Sequence, residues 1–191
     1  MLKSATHPGW FEIATGDLGG LLSDQMHCER KAAETALSLM RRSNADPKAV
    51  LALGRLAHEE TSHVIQVSEL MAERGLLPRP DRPNLYARGL LGLLRPGERH
   101  HRADGLLVAG LIEARSHERL GLLASGYRRR GEERLAGFFQ ALCNAEDRHA
   151  EIYQEISARC LPRAEAQQRL EDLALAEAEI LATLPWQSRI H

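Results

Sequence analysis

Leu56-Ala57-His58-Glu59-Glu60-Thr61-Ser62-His63 and Asn144-Ala145-Glu146-Asp147-Arg148-His149 each close on Glu-x-x-His. At i and i+3 on a helix, Glu60 and His63 share one face, and so do Glu146 and His149. Upstream of each pair stands a lone acid: Glu29, in His27-Cys28-Glu29-Arg30-Lys31, and Glu113, in Gly110-Leu111-Ile112-Glu113-Ala114-Arg115. Glu60 follows Glu29 by 31 residues and Glu146 follows Glu113 by 33. In each half of the chain, the lone Glu and the Glu-x-x-His therefore sit at one level on the two arms of a helical hairpin.

Around these residues the chain divides into helices and punctuation. A first helix is expected from about Asp17 to Arg42, its early turns loosened by Gly19 and Gly20. Asp46-Pro47 is a helix start, a capping carboxylate followed by proline at the first helical position. The second helix runs to Arg74, and Gly75 is placed to stop it. A long irregular crossover, 75–102, holds four prolines and a short apolar turn or helix over 85–94. The third helix is expected over 103–127, the fourth over 132–159, and a last one over 163–184. Short loops make neighbours of helices one and two and of helices three and four. The crossover is long enough to run the length of a helix of about 25 residues, roughly 38 Å. Two antiparallel hairpins joined by one long crossover, plus a C-terminal helix, predict an all-α, ferritin-like four-helix bundle. It is read as one domain, 1–191, with the bundle over about 17–160.

Each acid lies in an otherwise apolar stripe. Leu22, Met26, Ala33 and Ala36 flank Glu29; Leu53, Leu56, Val64 and Val67 flank Glu60. Leu106, Ala109 and Leu120 flank Glu113; Phe139, Leu142, Cys143 and Tyr153 flank Glu146. A carboxylate facing a core is costly unless paired or metal-bound. One Glu from each of two helices and a Glu-x-x-His from each of the others is a di-metal carboxylate ligand set. Four carboxylates balance two divalent irons, and the imidazoles bind neutral. Oxygen-rich donors with a few imidazoles suit iron or manganese, whereas zinc takes fewer ligands in a tetrahedron.

Composition agrees. Apolar residues make up 43 % and aromatics 4 % of 191 residues, with Leu and Ala dominant, which suits packed helices. The N-terminus has no apolar core of the kind a signal peptide needs, and no eighteen-residue apolar run suggests a membrane span. Cys28, Cys143 and Cys160 are too widely spaced for a disulfide framework or a zinc knuckle, so a reducing cytoplasm is expected. The net charge of −1 excludes little, but Arg outnumbers Lys 22 to 3. From Arg74 to Arg102, seven Arg face two acids. That is either a solvated loop or an anion-binding surface.

These stretches resemble the bacterial tRNA-(2-methylthio-N6-isopentenyladenosine)-hydroxylase family, ferritin-like diiron monooxygenases. The likeness covers nearly the whole chain and is carried by LLSDQMHCERKAA (21–33), LAHEETSH (56–63), GLIEARSHERL (110–120) and NAEDRHAEIY (144–153). The family's iron ligands fall on Glu29, Glu60, His63, Glu113, Glu146 and His149, with no gap. The departures are small: His117 stands where some relatives carry cysteine, and the tail after Leu184 is short. The resemblance implies two irons, with O2 as co-substrate, that hydroxylate the isopentenyl group of a modified adenosine beside the tRNA anticodon. It also implies external electrons from a ferredoxin-like donor and its reductase. The runner-up reading is a diiron hydroxylase or oxidase acting on a small molecule.

Three further side chains are candidates to line or support the site: His117, one turn after Glu113; Cys143, one turn before Glu146; and Tyr153, one turn after His149. The bland alternatives are a buried small hydrophobe for Cys143 and a core residue with its hydroxyl satisfied for Tyr153, while His58 and His27 are read as surface or interhelical. Glu34, Glu59 and Glu118 point off the ligand faces. Candidates to hold tRNA phosphates are Arg79, Arg82, Arg88, Arg95, Arg99 and Arg102 of the crossover and Arg128, Arg129 and Arg130 of the next turn. The oligomeric state is open between a monomer and a small homo-oligomer.

Overall fold

The computed structural model describes every residue, Met1–His191. It contains seven helices and no strand: α1 (Trp10–Ala14), α2 (Leu18–Arg41), α3 (Pro47–Glu73), α4 (Leu85–Leu91), α5 (Glu98–Arg129), α6 (Glu133–Ser157) and α7 (Arg163–Thr183). None is long and apolar enough to cross a membrane. The chain divides into two compact units, one of residues 12–83 and 186–190, the other of residues 1–11, 84–185 and 191.

The first of these units is the α2–α3 hairpin. Asp17 caps α2 by accepting from the Gly20 amide, and Asp46 caps α3 by accepting from the Ala49 amide, each satisfying an amide that has no partner inside the helix. Gly75, at φ 65°, ends α3 as expected. Gly19 and Gly20 prove to be more than loose helix. A Cβ on Gly19 would lie 3.1 Å from Arg79 Nη2, and one on Gly20 would lie 2.7 Å from Asp17 Oδ2. The two glycines clear the surface on which the Arg79–Asp17 ion pair lies.

The second unit is built on the α5–α6 hairpin. At Gly110 an added Cβ would sit 3.4 Å from both the Ala150 carbonyl and Tyr153 Cβ. Tyr86 and Leu90 of α4, Leu107, Val108 and Leu111 of α5, and Leu173 and Ala174 of α7 form one buried cluster. Beside it, fully buried Arg115 of α5 donates from Nε and Nη2 to fully buried Glu177 of α7, 2.9 Å each. The Tyr86 hydroxyl donates to the same carboxylate at 2.8 Å, and the Ser4 carbonyl accepts from Arg115 Nη2 at 3.0 Å. Burial would weaken the Arg115 charge, but Glu177 and Glu118 more than restore it. The C-terminal helix is thus held by a desolvated ion pair as well as by apolar contact.

The structure corrects one boundary and adds one helix. α5 begins at Glu98 rather than Ala103, so Arg99 and Arg102 stand on its first turns and the irregular crossover ends sooner. The reason is Asp104. It accepts from the Arg95 amide and side chain, and it pairs with Arg169 at 2.8 Å, which fastens the preceding turn to the helix. Gly97, at φ 88°, makes that turn possible. α1, which the sequence reading passes over, carries Trp10 and Phe11 into buried positions.

Candidate metal centre

In the α2–α3 unit the backbone brings three predicted ligands together. Glu29 on α2 and Glu60 and His63 on α3 are buried, and each offers a ligand atom within 4.8 Å of the others. His63 turns Nδ1 toward both acids, 3.5 Å from Glu29 Oε2 and 3.4 Å from Glu60 Oε2. Burial pushes the Glu29 carboxyl above its usual range, and the neighbouring Glu60 adds to the rise, while His63 opposes it. For His63, burial alone favours the neutral ring, but hydrogen bonds with Glu29 and Glu60 lift its pKa to about 9. Protons here stand in for positive charge: two carboxylates packed together out of water need a cation between them.

One contributor escaped the sequence reading. Gln25, buried one turn before Glu29, donates its side-chain amide to Glu29 Oε1. That bond occupies one carboxylate oxygen and leaves Oε2 facing His63. The available signal was a glutamine at i−4 on a buried helix face, which apolar patterning alone does not separate from a surface amide.

The α5–α6 unit holds the other three predicted ligands. Glu113 on α5 and Glu146 and His149 on α6 are buried, and His149 again turns Nδ1 to its own acid, 3.5 Å from Glu146 Oε2. Each hairpin therefore buries two carboxylates and one imidazole, and each imidazole turns Nδ1 to the acid of its own Glu-x-x-His. Such donors, rich in oxygen and closed off from water, can hold a metal ion, and their chemistry suits iron or manganese.

The surrounding candidates divide. His117 and Cys143 pair with each other between α5 and α6: His117 Nδ1 lies 2.9 Å from the Cys143 carbonyl, and Cys143 Sγ lies 3.4 Å from the His117 carbonyl. Burial raises the Cys143 thiol pKa, so it stays protonated. Tyr153 is fully buried on α6. Glu118, left out of the ligand set, accepts from the Thr6 amide at 2.9 Å and pairs with Arg115, a structural role. All three cysteines are free.

Among the arginines, Arg79 is committed to Asp17, and Arg95 to Asp104 and Glu165. Arg99 donates to the Cys160 carbonyl at 2.8 Å, Arg102 Nη2 approaches Cys160 Sγ at 3.2 Å, and the Arg130 guanidinium lies 4.6 Å over the Phe11 ring. Arg82, Arg88, Arg128 and Arg129 are exposed. A run of arginine in sequence is thus partly internal fastening, because acids from distant positions come to meet it.

Known proteins resemble this chain over most of its length. Over 100 % of its length, the chain is 36 % identical to the tRNA 2-(methylsulfanyl)-N(6)-isopentenyladenosine(37) hydroxylase of Pseudomonas putida, 91 % of which is covered. It is 28 % identical to the Salmonella typhimurium protein of that name, over 90 % of this chain and 79 % of the relative. Among solved structures, a Synechococcus protein described as having aldehyde deformylating oxygenase activity superposes with a TM-score of 0.90 at 38 % identity, covering 100 % of this chain and 94 % of that one. The fold is the all-α, ferritin-like one that the ligand pattern predicts. The model of the tRNA-(MS[2]IO[6]A)-hydroxylase (MiaE) family matches residues 1–191, and the chain belongs to that family.

Proposed function

We propose that the chain is an O2-dependent monooxygenase that hydroxylates the isopentenyl group of 2-methylthio-N6-isopentenyladenosine in tRNA, with two irons held by Glu29, Glu60, His63, Glu113, Glu146 and His149. One observation carries this reading: both hairpins bury two carboxylates and one imidazole, with the imidazole nitrogen turned to the acid of its own Glu-x-x-His. When bound, the irons supply reductive activation of O2, and the organic part of the reaction follows from them. The protein binds, orients and excludes water. Gln25 holds Glu29 in one orientation, the buried helix faces keep solvent from the reacting methyl, and the paired His117 and Cys143 tie α5 to α6 near the ligand-bearing turns.

Hydroxylation leaves one oxygen atom in the product and one in water, so two electrons and two protons must arrive from outside. A ferredoxin-like donor with its reductase meets that need, and the cytoplasm supplies both donor and tRNA. The substrate phosphates stay outside the bundle, on positive surface offered by exposed arginines.

The Synechococcus neighbour favours a second reading, in which the same ligands serve an oxygenase acting on an aldehyde. One competition assay separates the two. Iron-loaded, reduced protein is given air with isopentenylated tRNA and a long-chain aldehyde together. The tRNA reading predicts about two irons per chain and hydroxylated nucleoside in the digest, with the aldehyde unchanged. Consumption of the aldehyde alone overturns it.

A further inference from the structure

A shallow groove of about 390 Å³ lies along α3, lined by Val50, Leu51, Gly54, Arg55 and His58. Gly54 keeps it open beside Met40 of α2, whose Sδ would stand 3.5 Å from a Cβ placed there. Lys48, Leu51, Arg55 and His58 recur every three or four positions, so they form one stripe, and all four are exposed. Glu60 lies about 140° round the helix from Arg55 and about 7.5 Å further along it. The same helix therefore turns its metal ligands inward and this groove outward. Little more than the thickness of one helix, about 10–12 Å, separates the two.

The surface here combines free charge with exposed apolar groups. Leu51 is 55 % exposed, and Leu37, one turn before Arg41 on α2, is 50 % exposed. The side chains of Arg41, Lys48 and Arg55 are exposed, and none of them makes an ion pair or a hydrogen bond. In this they differ from Arg79 and Arg95, which acids neutralise. Of the acids close by in sequence, Asp46 is taken up in capping α3, and Glu59 is half-buried with a partner of its own. An apolar centre rimmed by one sign of charge is the anatomy of a protein-docking patch, and a positive rim fits an acidic partner.

Position selects among partners. Leu53, Leu56 and Ala57 of α3 are buried, so nothing that has to touch the metals enters from the groove. Electrons need no opening. A nucleic acid would find cations here, but its phosphates gain nothing from Leu37 and Leu51. A second copy in a two-fold arrangement would set like charges against one another. We infer that this face of α2 and α3 is where a small, acidic, one-electron carrier protein docks, with Arg41, Lys48 and Arg55 on its carboxylates and Leu51 at the centre of the contact. The inference rests on the monooxygenase reading, in which one oxygen atom enters the product and the other leaves as water, taking two electrons and two protons from outside. Such a carrier is oxidised by one electron per visit, so two visits complete a turnover.

The test uses full-length, iron-loaded protein, with a reduced, acidic iron–sulfur ferredoxin as the probe. Lys48→Glu with Arg55→Glu is expected to raise the ferredoxin Kd about tenfold and to flatten its salt dependence. Leu51→Ala is expected to raise it about fivefold with the salt dependence unchanged. Arg128→Glu with Arg129→Glu makes the same change of charge on the α5–α6 turn and should leave ferredoxin binding as in wild type. With a chemical reductant in place of ferredoxin, the α3 variants should bind and hydroxylate isopentenylated tRNA as wild type does. Unchanged ferredoxin affinity in the α3 variants overturns the docking surface, and so does a wild type that does not bind ferredoxin. Loss of tRNA affinity at unchanged ferredoxin affinity overturns it and assigns the patch to RNA. A wild type that sediments as a dimer, with Leu51→Ala monomeric at unchanged ferredoxin affinity, overturns it in favour of a second copy. Chemically reduced wild type that leaves the tRNA unmodified refutes the tRNA reading, and the ferredoxin titration decides the docking surface by itself.

Discussion

Replacing Glu177 by Gln should unfold this protein more readily without changing its metal content. Arg115 and Glu177 are both 0 % exposed, so the substitution leaves a guanidinium charge in a dry interior. Removing one partner of a buried pair costs about 3–5 kcal/mol. Glu118 remains beside Arg115, and its side chain is 25 % exposed, so the lower end, about 3 kcal/mol, is expected. For a domain of this size each kcal/mol moves Tm by about 2–4 °C, which gives a fall of about 6–12 °C. The exposed pair Lys3–Glu171, 36 % and 46 % exposed, supplies the control. Lys3→Ala should change stability by less than about 1 kcal/mol. Urea titration followed by circular dichroism reads both, and metal analysis of the folded fraction should find iron per chain unchanged. The double variant Arg115→Met with Glu177→Leu should recover most of the loss, because no unpaired charge remains. A Glu177→Gln protein within about 1 kcal/mol of wild type would refute the view that this pair holds α7 in place.

Other consequences are open to measurement. Glu113→Ala should lower iron occupancy or abolish turnover, whereas Glu118→Ala should keep its iron and lose stability; equal iron loss in the two would put the register of α5 in error. Gly126→Ala should destabilise by about 1–3 kcal/mol through overpacking, since its Cβ would stand 2.2 Å from Phe11 Cε2; a wild-type Tm would mean that the N-terminal segment is not docked there. Burial raises the Asp104 pKa, but Arg95 and Arg169 lower it further, so the net value falls below the ordinary 3.8. A depressed acid contributes stability above its unfolded pKa and loses it as pH falls through the folded value. Stability measured from pH 5 downward should therefore fall below about pH 4, and Asp104→Asn should flatten that slope; an identical slope would remove Asp104 from the acid response. Peptide mapping without reductant should find Cys28, Cys143 and Cys160 all as thiols, and a disulfide among them would contradict the reducing compartment.

The parts of this structure that obey local rules could be read in the residues. Glu-x-x-His at i, i+3 needs only a helix to put both side chains on one face, and Asp46-Pro47 and Gly75 mark their helix ends through their own backbone chemistry. The lone acids Glu29 and Glu113 were legible because each interrupts an apolar stripe. What escaped depends on residues far apart in the chain. Nothing in Arg115 points to Glu177, 62 positions later, and Arg79 and Arg95 look like free cations until Asp17 and Asp104 are seen against them. Gly19 and Gly20 read as weak helix because the guanidinium they make room for lies some sixty residues on. The short segment after Leu184 looked like a tail, yet Ile190 is fully buried and Arg189 pairs with Asp24.

The most direct test of a diiron hydroxylase acting on tRNA is the origin of the product's oxygen. Iron-loaded, chemically reduced protein would be mixed with isopentenylated tRNA under isotopically heavy dioxygen in ordinary water. The RNA would then be digested to nucleosides for mass spectrometry. The prediction is one heavy oxygen atom on the isopentenyl group, formed by the wild type and not by Glu113→Ala. Unlabelled hydroxyl from water, or an unmodified nucleoside from protein that holds its full complement of iron, would contradict it.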